Sequence, residues 1–155
     1  MAQTLLGASV GAKSTTAEFE LGTRHYDPNT DKEFIYVQAG EALTTNAAVV
    51  ITEAGQVEMV DTTSTASAFG DRVGVVSIAF DDNDYGWAQI YGACTLSVGP
   101  SAAANTALNS TATAGRLDDD AAAGAEVIDG VVTTAAESSN LAAALLTYPT
   151  VGATI

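Results

Sequence analysis

The sequence predicts an all-β fold, and three observations predict it. Short runs alternate side chains with a period of two, the mark of a strand with one buried face. Between the runs stand clusters of Asp, Asn, Pro, Gly and Thr, the residues that turns require. Finally, Gly74-Val-Val-Ser-Ile-Ala-Phe-Asp81 finds a counterpart 56 residues later in Gly130-Val-Val-Thr-Thr-Ala-Ala-Glu137. The predicted architecture is a compact β-barrel- or sandwich-like body of two pseudo-repeated lobes, residues 17–97 and 98–155. An extended N-terminal arm, residues 1–16, precedes them.

The elements follow in order. Residues 1–16 are small and polar, with no period, and read as the arm. "AEFELGTRHY" sets Phe19 and Leu21 against Glu18 and Glu20; "EFIYVQAG" sets Phe34 and Tyr36 opposite Ile35 and Val37. The Asp-Pro-Asn turn between them predicts a hairpin around residues 27–32. Strands are expected at Val49–Thr52 and Gln56–Val60, turning at Glu53-Ala54-Gly55. "RVGVVSIAF" and "YGWAQIYGACTLSVG" are strands on either side of the acidic turn Asp81–Asp84. The second of these carries Tyr85, Trp87, Gln89 and Tyr91 on one face and Gly86, Ala88, Ile90 and Gly92 on the other.

The later part is rich in alanine. Leu141–Leu146 would favour a helix by propensity alone. The internal repeat argues for a strand instead, because it sets Trp87-Ala88 on Ala143-Ala144 and Ile90 on Leu146. Upstream, Ala54–Glu58 falls on Ala114–Asp118 at an offset of 60, and the loop "TTSTASAFGD" absorbs the difference. The predicted core is Phe19, Leu21, Phe34, Tyr36, Val49, Ile51, Val75, Ile78, Trp87 and Ile90.

Composition bounds the function. The chain has 155 residues, 47% of them apolar, but many are alanine and only four are Phe and one Trp. Its core must therefore be built from Val, Ile, Leu and Ala. Five basic residues face nineteen acidic ones, a net charge of −14. That argues against nucleic acid, whose binding depends on Lys and Arg neutralising phosphates, and against an anionic membrane surface. It favours a partner with a basic patch. No segment approaches the ~20 apolar residues of a membrane span. Cys94 is the only cysteine and is expected to act as a small buried hydrophobe. The apolar run near the N-terminus is short and lacks a basic flank, so no signal peptide and a reducing compartment are expected.

Candidate chemistry is sparse. His25 is the only histidine and has Asp27 nearby, but no nucleophile elbow exists for it to serve. Asp27, Asn29, Asp31 and Glu33 alternate like a calcium loop, yet Lys32 stands where such a loop needs Gly and Gln38 where it needs Glu. The acidic runs Asp81–Asp84 and Asp118–Asp120 stand at equivalent ends of the two lobes and could hold Ca²⁺ or Mg²⁺, but solvated turns are the expected reading. Tyr85, Trp87 and Tyr91 could stack on a sugar, but a core wall or subunit contact is the expected role. No phosphate loop or zinc spacing is visible. The expectation is a protein without enzymatic activity or cofactor.

Four segments carry a resemblance: "LGTR" at Leu21–Arg24, the strand Glu33–Val37, the alanine-rich stretch Ala42–Val50 and "YGWAQIYG" at Tyr85–Gly92. Together they resemble the small capsid decoration (cement) proteins of tailed bacteriophages, over roughly residues 19–95. The second half matches only in character. The resemblance implies a structural virion protein on the outer surface of the capsid, assembled in the bacterial cytoplasm. Its partner would be the major capsid protein, and it could act as a homo-oligomer, a dimer or trimer. In that role the arm would grip the capsid, with Leu5, Leu6, Val10 and Lys13 as contacts. The alternatives are a carbohydrate-binding or host-adhesion module on the virion, and a tail or fibre component.

Overall fold

A computed structural model of the protein describes residues 7–155. Leu5 and Leu6 lie outside the described residues. Ten strands carry the fold: β1 (Arg24–Asp27), β2 (Lys32–Ala39), β3 (Ala48–Ile51), β4 (Gln56–Met59), β5 (Arg72–Val75), β6 (Tyr85–Ser97), β7 (Ala107–Ser110), β8 (Leu117–Asp118), β9 (Glu126–Thr133) and β10 (Leu141–Thr154). There is no helix among the described residues. The protein is all-β, as its alternating pattern predicts.

All ten strands join in one sheet, in the order β1-β2-β4-β3-β5-β6-β10-β9-β7-β8, with β2 also pairing β6 and β5 also pairing β10. The β1–β2 hairpin turns over residues 28–31, where Asp27 accepts from the Asn29 amide at 3.0 Å and the Thr30 hydroxyl at 2.7 Å. These side-chain bonds satisfy a turn that makes no ladder of its own. The β3–β4 turn closes at Gly55, whose φ of +80° is open to glycine at little cost. A Cβ there would also lie 2.7 Å from Leu21 Cβ.

Alternation decides what each face meets. On β2, Ile35, Val37 and Ala39 face inward to Val49, Ile51, Val57, Ala88 and Ile90. Phe34 and Tyr36 point the other way, onto Trp87. A second interior joins Ala48, Val50, Val73 and Val75 to Leu96, Leu108, Leu117, Ile128 and Leu146. Strand β3 thus buries both faces, which suits its continuous apolar run. Of the ten predicted core residues, seven are buried; Phe19, Leu21 and Ile78 are half-buried and pack against these clusters.

Three local expectations change. The strand expected from Ala17 begins only at Arg24, because Gly22 adopts φ +88° and the Thr23 amide bonds back to Glu20 in a turn. The strand expected over residues 72–80 ends at Val75; Phe80 instead exchanges backbone bonds with Leu43. Leu141–Leu146 is strand, held by β6 on one side and β9 on the other. There Ala142, Ala144 and Leu146 are buried and Ala143 and Leu145 exposed, so tertiary pairing overrides helical propensity.

Several pairings of the first half recur in the second. β3 lies antiparallel to β4 and to β5; β7 lies antiparallel to β8 and to β9. The parallel contact of β2 with β4 has its counterpart in a parallel bridge from Val98 to Leu117.

Candidate functional site

The aromatic face of β6 is covered by the chain's own N-terminal segment. Phe19 sets its ring 5.3 Å from Tyr36 and 5.4 Å from Trp87, and Tyr36 meets Trp87 nearly edge-on at 5.0 Å. Ala8, Val10, Leu21 and Tyr85 close around them. Trp87 is left only 4% exposed. His25 is buried at the rim, edge-on to Trp87 at 6.0 Å, and so contributes packing.

Backbone and charge hold this segment in place. Ser14 and Tyr85 exchange amide–carbonyl bonds at 2.9 and 2.8 Å. Lys13 donates to Asp81 at 2.7 Å and lies 2.8 Å from Asp84. The Asp84 side chain is 6% exposed and also accepts from the Asp81 amide at 2.8 Å. The Lys13 ammonium holds the Asp84 carboxyl below its usual range, and the Asp81 amide adds to the effect. In return, the bonds that Lys13 donates, first to Asp81 and then to Asp84, raise its own ammonium. Beneath the segment remains a cleft of about 80 Å³ between Lys13, Ser14, Glu18, Tyr36, Tyr85 and Trp87. Val10 and Lys13, expected to reach a partner, thus make these contacts within their own chain.

Tyr91 does not join Tyr85 and Trp87. The β2–β6 register slips between the pairs Phe34–Gln89 and Glu33–Tyr91, which places an extra residue, Ile90, in β6. Such a bulge turns the strand. Gly92 follows at φ +94°, where a Cβ would meet the Asp31 carbonyl at 2.5 Å. Beyond the bulge Tyr91 stacks on Tyr148 at 5.2 Å. Tyr148 is 48% exposed and Tyr26 is 49% exposed. The Tyr148 hydroxyl donates to Glu33 at 2.6 Å, and the Tyr26 hydroxyl donates to Asp31 at 2.6 Å. Each carboxylate raises the phenol that it binds. This exposed tyrosine face is absent from the sequence reading, because a lone Tyr148 in "LTYPT" has no periodic signal and only the β6–β10 pairing brings it to Tyr91.

The acidic groups are used locally. Glu33 takes Arg24 at 3.1 Å as well as Tyr148; Asp119 accepts from the Ala103 amide at 3.1 Å. Burial raises the Asp118 carboxyl. Buried Glu126 receives hydroxyls from Thr65 at 2.6 Å, Ser110 at 3.2 Å and Thr154 at 3.4 Å, which tie a first-half loop to β7, β9 and β10. Among the described residues no three His, Cys, Asp or Glu side chains converge where a metal could sit. Cys94 packs against the second interior, and burial pushes its thiol up to about 12. At neutral pH it is a protonated thiol and a poor nucleophile. No protein-family model and no curated protein matches the sequence.

Proposed function

We propose that the protein is a structural virion component that binds the outer surface of a major capsid protein lattice and stabilises the filled head. What carries this reading is the spatial union of the four resembling segments. Leu21–Arg24, Glu33–Val37, Ala42–Val50 and Tyr85–Gly92, scattered over the first half, come together as the turn into β1, β2, the approach to β3 with most of that strand, and the start of β6, with Leu21 on their aromatic face. The acidic surface supports it too, because a −14 chain repels its own copies in solution but not a basic lattice.

In the same reading the body is two barrel-like lobes. The neighbour relations support this: β2, β4, β3, β5 and β6 form a ring of pairings that returns to β2. The second ring borrows the end of β6, since Val98 bridges Leu117 as Ala39 pairs Val57.

The mechanism is linkage. A ligand that binds the assembled lattice and not its free subunits favours the lattice by its binding free energy. Repetition over a symmetric shell adds avidity without new contacts. A sugar platform made of Tyr85, Trp87 and Tyr91 fits the geometry poorly, because Trp87 is sealed and Tyr91 lies beyond the bulge.

The test is cosedimentation of the purified chain with empty, expanded heads, followed by electron microscopy of the pellet. Saturable density on the shell is expected. A chain that stays in the supernatant at excess heads overturns the proposal, and labelling of the tail in electron micrographs of intact virions would transfer the protein to another part of the particle.

A further inference from the structure

Two of the chain's five cationic side chains, Arg24 and Arg72, line one small cleft with Ile90, Tyr148 and Pro149. Arg24 is matched by Glu33. Arg72 is half-buried and, among the described residues, has no carboxylate within ion-pairing distance. Glu33 answers Arg24 and Tyr148 at the edge of the cleft, so Arg72 is the cation left, among the described residues, without a counter-charge, and a partly desolvated guanidinium is unfavourable until an anion joins it. The cleft offers about 30 Å³, the scale of a small charged group.

Its rim has the composition of a protein contact. Tyr148 lines it with Tyr91 stacked behind, and Tyr and Arg dominate the energetics of interfaces. Tyr148 holds φ +50°, a conformation that a bulky residue adopts at a cost. That backbone setting lies within the register shift of β10 between Leu146 and Thr150, next to the Thr150–Arg72 pair. A strained, half-exposed aromatic beside an unmatched cation is the kind of outlier from which a binding role is inferred.

We propose that the Arg24–Arg72–Tyr148 cleft is the docking point for a carboxylate side chain on an acidic loop of the shell protein. The inference rests on the shell reading and adds the partner's chemistry to it. Long-range charge draws the acidic chain to a basic lattice. The cleft makes one local demand of opposite sign, so a basic surface bearing a single acidic loop can be met in only one orientation.

Two measurements test it. In the first, the isotope-labelled full chain is titrated with a tetraglutamate peptide, a tetralysine peptide and N-acetylneuraminic acid while its NMR spectrum is followed. Saturable shifts of the Arg24 and Arg72 side-chain signals are expected with tetraglutamate alone, weakening with added salt. Arg72→Ala should abolish them and Arg116→Ala, a guanidinium elsewhere, should leave them. Arg72→Lys, which keeps the charge, guards against misfolding and should bind several-fold more weakly with unchanged melting. Absent shifts, or shifts with the acidic sugar only, overturn the proposal.

In the second, Arg72→Glu is cosedimented with expanded heads, with a loss of affinity of about 30-fold or more expected. If wild type and Arg72→Glu pellet equally, the docking point is wrong and the shell reading stands. If the wild type stays in the supernatant, the shell is lost as the partner, and the titration alone decides whether the cleft takes carboxylates. If Arg72→Glu instead breaks an oligomer of the free chain, the occupant is a second copy and the proposal falls.

Discussion

At the scale of single residues, Asp84 governs how the N-terminal segment is held. It is nearly buried, and its ionised form is favoured first by Lys13 and then by the Asp81 amide. Its folded pKa lies below the unfolded value of about 3.9, so its contribution is complete above that value and disappears as pH falls through the folded one. Lys13 is raised, so its share is complete below the ordinary lysine value and is lost only as pH rises through the raised one. Acidification should therefore loosen the segment over Trp87 before it unfolds the body. The expected outcome is a red shift of Trp87 emission below about pH 4 with unchanged far-ultraviolet circular dichroism. Asp84→Asn should show a weakened attachment at neutral pH and little further change in acid. An acid-induced shift as large in Asp84→Asn as in wild type would assign the effect to another group.

At the scale of elements, the segment before β1 works as a lid on the outer face of β2 and β6, and Phe19 is its main anchor. Phe19→Ala removes two aromatic contacts from a half-buried site and should cost about 2 kcal/mol, less than a fully buried phenylalanine. The denaturation midpoint measures the cost, and Trp87 emission should redden in the same variant. An unchanged midpoint would mean that the segment contributes nothing to stability.

The same scale shows what could be read in advance. Turn chemistry made the hairpins legible: Asp-Pro-Asn before β2 and Glu-Ala-Gly before β4 each carry a local reason to turn. The two-residue alternation of β6 was legible as far as Gln89. The bulge at Ile90 was not, since it depends on register with β2 and leaves no mark in composition. β7 and β8 are four and two residues long, too short and too small-sided to stand out from an alanine-rich background. The parallel contact of β2 with β4 joins strands separated by β3, and no local pattern encodes such a return. For the same reason the sealed aromatic face was half legible and the Arg72–Tyr148 cleft not at all. Alternation marks a face, but only tertiary pairing says what lies over it.

At the scale of the whole molecule, the two halves share an interior. Ala48, Val50, Val73 and Val75 come from the first half and Leu108, Ile128 and Leu146 from the second, all in one packed cluster. Buried Glu126 adds hydroxyl bonds across the same boundary. Neither half can lose its structure without exposing apolar surface of the other. Unfolding should therefore be a single cooperative transition, with Trp87 emission and circular dichroism giving superimposable curves in denaturant. Curves that separate would show two independently melting units.

The thirteen residues of β6 join the two halves without a linker, paired to β2 of the first half near one end and to β10 of the second near the other. That is a continuous covalent span of about 40 Å. Ladder bonds lie across the strand, so tension along it loads many of them together in shear and does not peel them one at a time. A pull on β6 against β2 and β10 would thus be resisted as by a rivet and not as by a zip.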